Sequence, residues 1–168
     1  MLELISSFGQ LDITQLLRVY SQENRKNGRR FFPNLDADNQ LYRAEDNFIS
    51  YIREDFFCNR GAIYALWIVN GRYEAALRFE PYKDGLLLEA LETAPESRRK
   101  GYGGCLINAI LNHLKTTECK ILYSHVHKNN TPSISLHKKC GFHIFSDCAE
   151  YIDGTVTQSS FTFCYRFQ

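Results

Sequence analysis

What the chain has little of narrows its class. It carries almost no net charge, +1 over 168 residues, so no bulk field draws it to nucleic acid or to an anionic membrane surface. It has no run of about eighteen apolar residues of the kind that spans a bilayer. Met1 to Ile13 contains neither a basic segment nor a long apolar stretch, so it does not read as a secretory leader, and the expected location is cytoplasmic. None of the six cysteines lies in a CxxC pair, which argues against a zinc site; no metal is expected. Without an export signal, reduced thiols are expected rather than disulfides. Cys105 is read as a small core residue. There is no internal repeat, low-complexity segment or linker. With 44% hydrophobic and 23% charged residues, the chain is expected to form one domain over residues 1–168.

What is present centres on Gly85 to Leu114. Leu86 to Leu91 is an apolar run of strand length. After a short connection comes Arg98-Arg99-Lys100-Gly101-Tyr102-Gly103-Gly104. Leu106, Ile107, Ile110, Leu111 and Leu114 then repeat at helical spacing. Glycines remove the side chains that would keep a ligand off the backbone. The first amides of a helix lack intrahelical partners, and the helix dipole adds positive potential. Such a junction is a cradle for phosphate, with three basic side chains at its mouth. It is neither a Walker A loop, because no Gly-Lys-Ser/Thr follows, nor the dinucleotide fingerprint, whose third glycine is missing.

Arg98-x-x-Gly101-x-Gly103 between strand and helix resembles motif A of the GNAT superfamily of acyl-CoA N-acyltransferases. Asn130-Thr131-Pro132-Ser133-Ile134-Ser135-Leu136-His137-Lys138-Lys139-Cys140-Gly141-Phe142 is similar to its motif B. The likeness runs over roughly Ala62 to Phe145; the first sixty residues match only in helical character. It implies an α/β (α+β) fold: a mixed, mostly antiparallel sheet of six to seven strands with about four helices. It also implies an acetyl-CoA-dependent N-acetyltransferase acting on a primary amine of a small molecule, antibiotic or peptide. An acyl-CoA-binding module without turnover is the alternative, because many members carry tyrosine where His137 stands.

The remaining pattern fits that fold. Leu2 to Ile5 is predicted as a strand and Ile13 to Ser21 as a helix with Asp12 as N-cap. Arg25 to Arg30 is expected to be a solvated, glycine-broken loop, and Leu41 to Phe57 a second helix. Ala62 to Val69 and Arg72 to Phe79 flank the hairpin signal Asn70-Gly71. Lys120 to His127 follows the motif A helix as a parallel strand. Phe142 to Tyr151 and Ser160 to Phe167, around Asp153-Gly154, are expected to form a closing hairpin that either covers the core or makes a homodimer face.

By resemblance, the amides of Arg99, Lys100, Gly101, Tyr102, Gly103 and Gly104, with Arg98, hold the CoA pyrophosphate. Leu91, Glu92 and Thr93 pair with the pantetheine arm, a backbone N–H at Leu91 or nearby polarises the thioester carbonyl, and Asn130 and Ser133 flank the arm. A neutral amine must be generated for attack. Glu89, Glu92 and His125 are the candidate bases. Strict alternation along a strand puts Glu89 and Glu92 on opposite faces, with Glu89 beside Leu91 and Thr93. His137 is the candidate acid for the departing thiolate, otherwise a helix surface residue. Phe31, Phe32, Tyr42, Tyr51, Asp36, Asp38, Glu45 and Asp46 are acceptor-site candidates.

Overall fold

A computed structural model describes residues 1–168. A seven-stranded sheet runs in the order β1-β2-β3-β4-β5-β9-β6. The strands are β1 (Leu2–Ile5), β2 (Ile63–Val69), β3 (Arg72–Tyr82), β4 (Gly85–Thr93), β5 (Ile121–His127), β6 (His143–Ser146) and β9 (Ser160–Arg166). Every pairing is antiparallel except that of β4 with β5. The predicted hairpin around Asn70-Gly71 and the parallel strand after the motif A helix are therefore present. The closing hairpin is more elaborate than predicted: a two-stranded ribbon, β7 (Ala149–Glu150) with β8 (Val156–Thr157), carries the Asp153-Gly154 turn. β9 inserts between β5 and β6.

The helices are α1 (Ile13–Phe31), α2 (Ala37–Ser50), α3 (Tyr102–Leu114) and α4 (Thr131–Lys139). On one face of the sheet, the α3 residues Leu106, Ile107, Ile110, Leu111 and Leu114 are all buried against Leu77, Leu88 and Leu122. Each such side chain contributes about 1.5–3 kcal/mol relative to exposure. Cys105 is exposed rather than core, because it falls on the opposite side of that stripe. On the other face, Leu16, Val19 and Tyr20 of α1 pack with Ile52, Phe56, Tyr64 and Ala76.

Two helical predictions need correction. Asp12 caps α1 as expected, accepting from Gln15 N–H at 3.1 Å. The helix does not stop at Ser21, however; it continues through the supposed basic loop to Phe31. Its buried stripe passes from Leu16 and Tyr20 to Asn24 and Gly28, keeping helical spacing with non-apolar residues. Gly28 is there for close approach, since a Cβ at that position would sit 2.6 Å from the Gln40 carbonyl oxygen of α2. α2 begins earlier than predicted, with Asp36 capping Asp38 and Asn39. After Ser50 it passes into a π-helical turn, Tyr51–Asp55, and a 3-10 turn, Phe56–Cys58. No helix is long and apolar enough to cross a membrane.

Candidate active site

The site begins where two parallel strands part. β4 and β5 pair only between Leu86–Leu88 and Leu122–Ser124, although β4 runs on to Thr93 and β5 to His127. Beyond Ser124 their edges diverge into a cleft. A β-bulge reinforces the divergence. Ala90 has φ +51°, and the register with β3 shifts so that Arg78 faces Glu89 while Ala76 faces Glu92. The extra residue bends the strand and leaves backbone groups out of the ladder. The Tyr20 hydroxyl pins the bulge, donating to Ala90 O at 2.6 Å.

The bulge overturns the expected alternation. Arg78 and Ala76 are two apart on β3, so Glu89 and Glu92 share one face of the sheet, that of α1 and α2. Leu91 instead packs with the α3-side core. Thr93 Oγ1 lies 3.3 Å from the position a Cβ on Gly103 would take. Glu89 therefore does not share a face with Leu91 and Thr93.

Two cavities open off the cleft. The first, about 580 Å³, lies between α1, α2 and the sheet. All four candidate acid–base residues, Glu89, Glu92, His125 and His137, line it. Of the acceptor-site candidates, Phe31, Phe32 and Tyr51 line it too. Tyr42 is exposed, Asp36 is spent on capping, and Asp38, Glu45 and Asp46 lie outside its wall. The sequence reading missed Glu23, Asn24, Asn27, Asn47 and Arg78. The signal for Arg78 was a charge placed among the apolar residues of β3.

The acid–base candidates differ in how free they are. Glu89 Oε2 accepts from Arg78 Nε and Nη2, each at 3.4 Å. Glu92 accepts from Arg98 Nη2 at 3.3 Å. Burial pushes the Glu92 carboxyl above its usual range, and the Arg98 guanidinium opposes that shift. Both ring nitrogens of His125 are buried without a hydrogen-bond partner, and its ring packs edge-on against Tyr82 and Tyr151. Burial, helped by the charge of Lys83, lowers the His125 pKa, so the ring is neutral at pH 7.

His137 is not the helix surface residue offered as its default; it is 1% exposed. Nδ1–H donates to Ser133 O at 2.8 Å, and Nε2 accepts from the Ser124 hydroxyl at 3.0 Å. A single neutral tautomer satisfies both bonds, and burial lowers its pKa as well. The ring thus ties α4 to β5 at the last paired residue before the cleft.

The second cavity, about 770 Å³, lies at the α3 N-terminus. It shares Leu91, Glu92, Asn130 and Ser133 with the first. Of the residues assigned to the cofactor, Leu91, Glu92, Thr93, Arg98, Arg99, Gly101, Tyr102, Gly103, Gly104, Asn130 and Ser133 line it; Lys100 does not. Lys26 of α1 and Lys139 of α4 also border it. Gly101 sits at φ +85° as the N-cap of α3. The first helical bond is Cys105 N–H to Gly101 O at 3.0 Å, so the amides of Tyr102, Gly103 and Gly104 have no intrahelical acceptor. Gly103 and Gly104 line the wall beside Leu136 of α4, where a Cβ on either would come within 3.4 Å of its side chain. Asn130 caps α4, accepting from Ser133 N–H at 3.2 Å. Before α3 the turn at Pro95–Ser97 is held by a buried bond, Ser97 Oγ donating to Glu74, and by an exposed ion pair of Arg18 with Glu96.

Comparison with known proteins agrees with this geometry. The family model "Acetyltransferase (GNAT) family" matches residues 18–142. A search of curated protein sequences finds no match. Among solved structures, the PaiA N-acetyltransferase of Thermoplasma acidophilum in complex with coenzyme A is similar, with TM-score 0.67 and 14% identity over 99% of both chains. The ribosomal-protein-S18-alanine N-acetyltransferase of Escherichia coli gives TM-score 0.63 and 16% identity over 100% of this chain and 95% of that one. A GNAT family acetyltransferase of Elizabethkingia anophelis with acetyl-CoA bound gives TM-score 0.53 and 15% identity over 64% of this chain and 77% of that one.

Proposed function

Because this chain belongs to the GNAT acetyltransferase family, whose members transfer acetyl groups from acetyl-CoA, we propose that it acetylates a primary amine by direct transfer. The acceptor lies in the first cavity and the CoA arm in the second. The observation that carries this reading is the pair of cavities meeting at the parted edges of β4 and β5.

The residues fit acetyl-CoA on four counts. Unpartnered amides at the start of α3 face a cavity bordered by Arg98, Arg99, Lys26 and Lys139, which suits a pyrophosphate. The free edge of β4 from Leu91 to Thr93 offers main-chain groups to an amide-bearing arm, as an added strand does. The bulge at Ala90 supports Leu91 N–H as the donor to the thioester oxygen, where charge develops during attack. Asn130 and Ser133 line both cavities and flank the arm at the junction. Acetyl-CoA supplies the activated acetyl group; everything else is the work of the protein.

His125 is the general base of this proposal. It is the one candidate in the first cavity with no protein partner, and it is neutral at pH 7. Glu89 and Glu92 are each held in an ion pair with an arginine, so neither carboxylate is as free as the imidazole to meet the acceptor ammonium. His137 holds Ser124 and α4 in place rather than donating a proton.

The first experiment is a thermal-shift titration with acetyl-CoA, CoA and ATP on wild type and Gly103→Glu. Stabilisation by both CoA species alone, lost in the variant, supports the cradle. A thiol-release assay over an amine panel follows. CoA binding without release over that panel leaves an acyl-CoA-binding module instead.

A further inference from the structure

Arg78 is the only lysine or arginine among the residues lining the first cavity, and it is poorly satisfied. Its side chain is 16% exposed. Nε and Nη2 both reach a single oxygen, Glu89 Oε2, at 3.4 Å, long for a charge-assisted hydrogen bond. A buried guanidinium ordinarily recovers its lost hydration through close, bidentate partners. Its plane is held over Tyr51, with Arg78 Cζ 4.8 Å from the ring centroid, and lies 5.6 Å from the Phe56 centroid. The π-helical turn at Tyr51–Asp55 supplies the first of these rings.

A second, separate donor faces the same cavity. Asn24, one turn beyond Tyr20 on α1, is 2% exposed, and its Nδ2 has no partner. Buried donors are normally satisfied. A buried donor without a partner, Asn24 Nδ2, and the one cationic side chain of the same wall, Arg78, together suit an acceptor group on the ligand.

The placement of these groups says what kind of ligand. Arg78 pairs with Glu89 across β3 and β4. Leu88 pairs with Ser124 across β4 and β5, so Glu89 and His125 are the next residues on each strand. Leu87 and Tyr123 pack in one cluster, which puts Glu89 and His125 on a common face. Guanidinium, carboxylate and imidazole thus follow one another across three strands, the first two about 4.8 Å apart at the backbone and the imidazole across the cleft where β4 and β5 part. An ammonium placed between Glu89 and His125 leaves a carboxylate on the adjacent carbon for Arg78, in a cavity whose wall also carries Asn24.

We infer that the acceptor is an amino acid, an amine with a carboxylate on the adjacent carbon, and that Arg78 with Asn24 receives the carboxylate. Phe31, Phe32 and Phe48 in the same wall favour an apolar side chain. The inference rests on the amine-acceptor reading above.

The test compares each amino acid with its decarboxylated counterpart by thiol release from acetyl-CoA, for example phenylalanine with phenethylamine and leucine with isoamylamine. A site whose buried donors are left unpaired rejects the analogue strongly. The expected kcat/KM ratio in favour of the acid is on the order of a hundredfold, falling toward one in Arg78→Gln, with KM for acetyl-CoA unchanged. A ratio near one in wild type overturns the inference while leaving the amine-acceptor reading intact. So does an equal loss on both compounds in Arg78→Gln. If Arg78→Gln does not fold, Asn24→Leu and the wild-type ratio decide the matter. Acetylation of neither series, with stabilisation by acetyl-CoA retained, overturns the amine-acceptor reading and the inference with it.

Discussion

Replacing His125 with phenylalanine separates catalysis from stability. The two ring nitrogens of His125 are buried and unpartnered, a cost of about 1–3 kcal/mol for each unsatisfied group. A ring of similar shape without nitrogens keeps the edge-on contacts to Tyr82 and Tyr151 and removes that cost. The variant is expected to be at least as stable as wild type, with Tm raised by roughly 2–4 °C for each kcal/mol regained in a chain of this size. Loss of a general base costs about 10²–10⁴ in rate, or roughly 3–5 kcal/mol of barrier. pH gives an independent reading. Burial places the His125 pKa below its ordinary value of 6.5, so the imidazole proposed as base is neutral at pH 7, and wild-type kcat/KM is expected to fall on an acid limb below pH 6.5. The same depression makes the native state lose stability as pH falls below 6.5, because the unfolded chain binds a proton that the folded chain resists. His125→Phe removes that part of the acid sensitivity; His137, lowered as well, retains its own. Thermal melts from pH 5 to 8 and thiol-release kinetics provide both measurements. A variant that is less stable yet turns over normally refutes the reasoning, since His125 would then be a packing residue.

Three further outcomes are expected. Gly103→Glu fills the space beside Thr93 Oγ1 and Leu136; the roughly 2.7 kcal/mol stabilisation expected from acetyl-CoA at a hundred times Kd, measured against the variant's own ligand-free melt, disappears. Gly28→Val forces a side chain toward the Gln40 carbonyl 2.6 Å from its Cβ; about 1–3 kcal/mol of stability is lost, and KM for the amine rises more than KM for acetyl-CoA. His137→Phe leaves the Ser124 hydroxyl without its acceptor and costs about 1–3 kcal/mol in a denaturant melt; the acid limb of kcat/KM stays, and its disappearance would make His137 the titrating group.

The sequence alone determined the framework. The glycine-rich junction with its strand, helix and basic residues, and the second block from Asn130 to Phe142, were legible because local spacing dictates them. Motifs bound to one turn or one helix start depend on neighbouring residues, and the mixed sheet followed from turn signals and one crossover. Only the tertiary structure decided the rest. α1 looked finished at Ser21 because its buried stripe continues through Asn24 and Gly28, which carry no apolar signal; packing against α2 keeps it helical. Glu89 and Glu92 came to one face because a single extra residue at Ala90 reverses the alternation of everything after it, and no side-chain pattern marks that bulge. His137 became a buried strut because Ser124, thirteen residues away in sequence, meets it across the fold. Arg78 was visible only as a charge in an apolar strand. Its meaning depends on which groups from α1, α2 and β4 close around it, a property of the assembled cavity rather than of any segment of the chain.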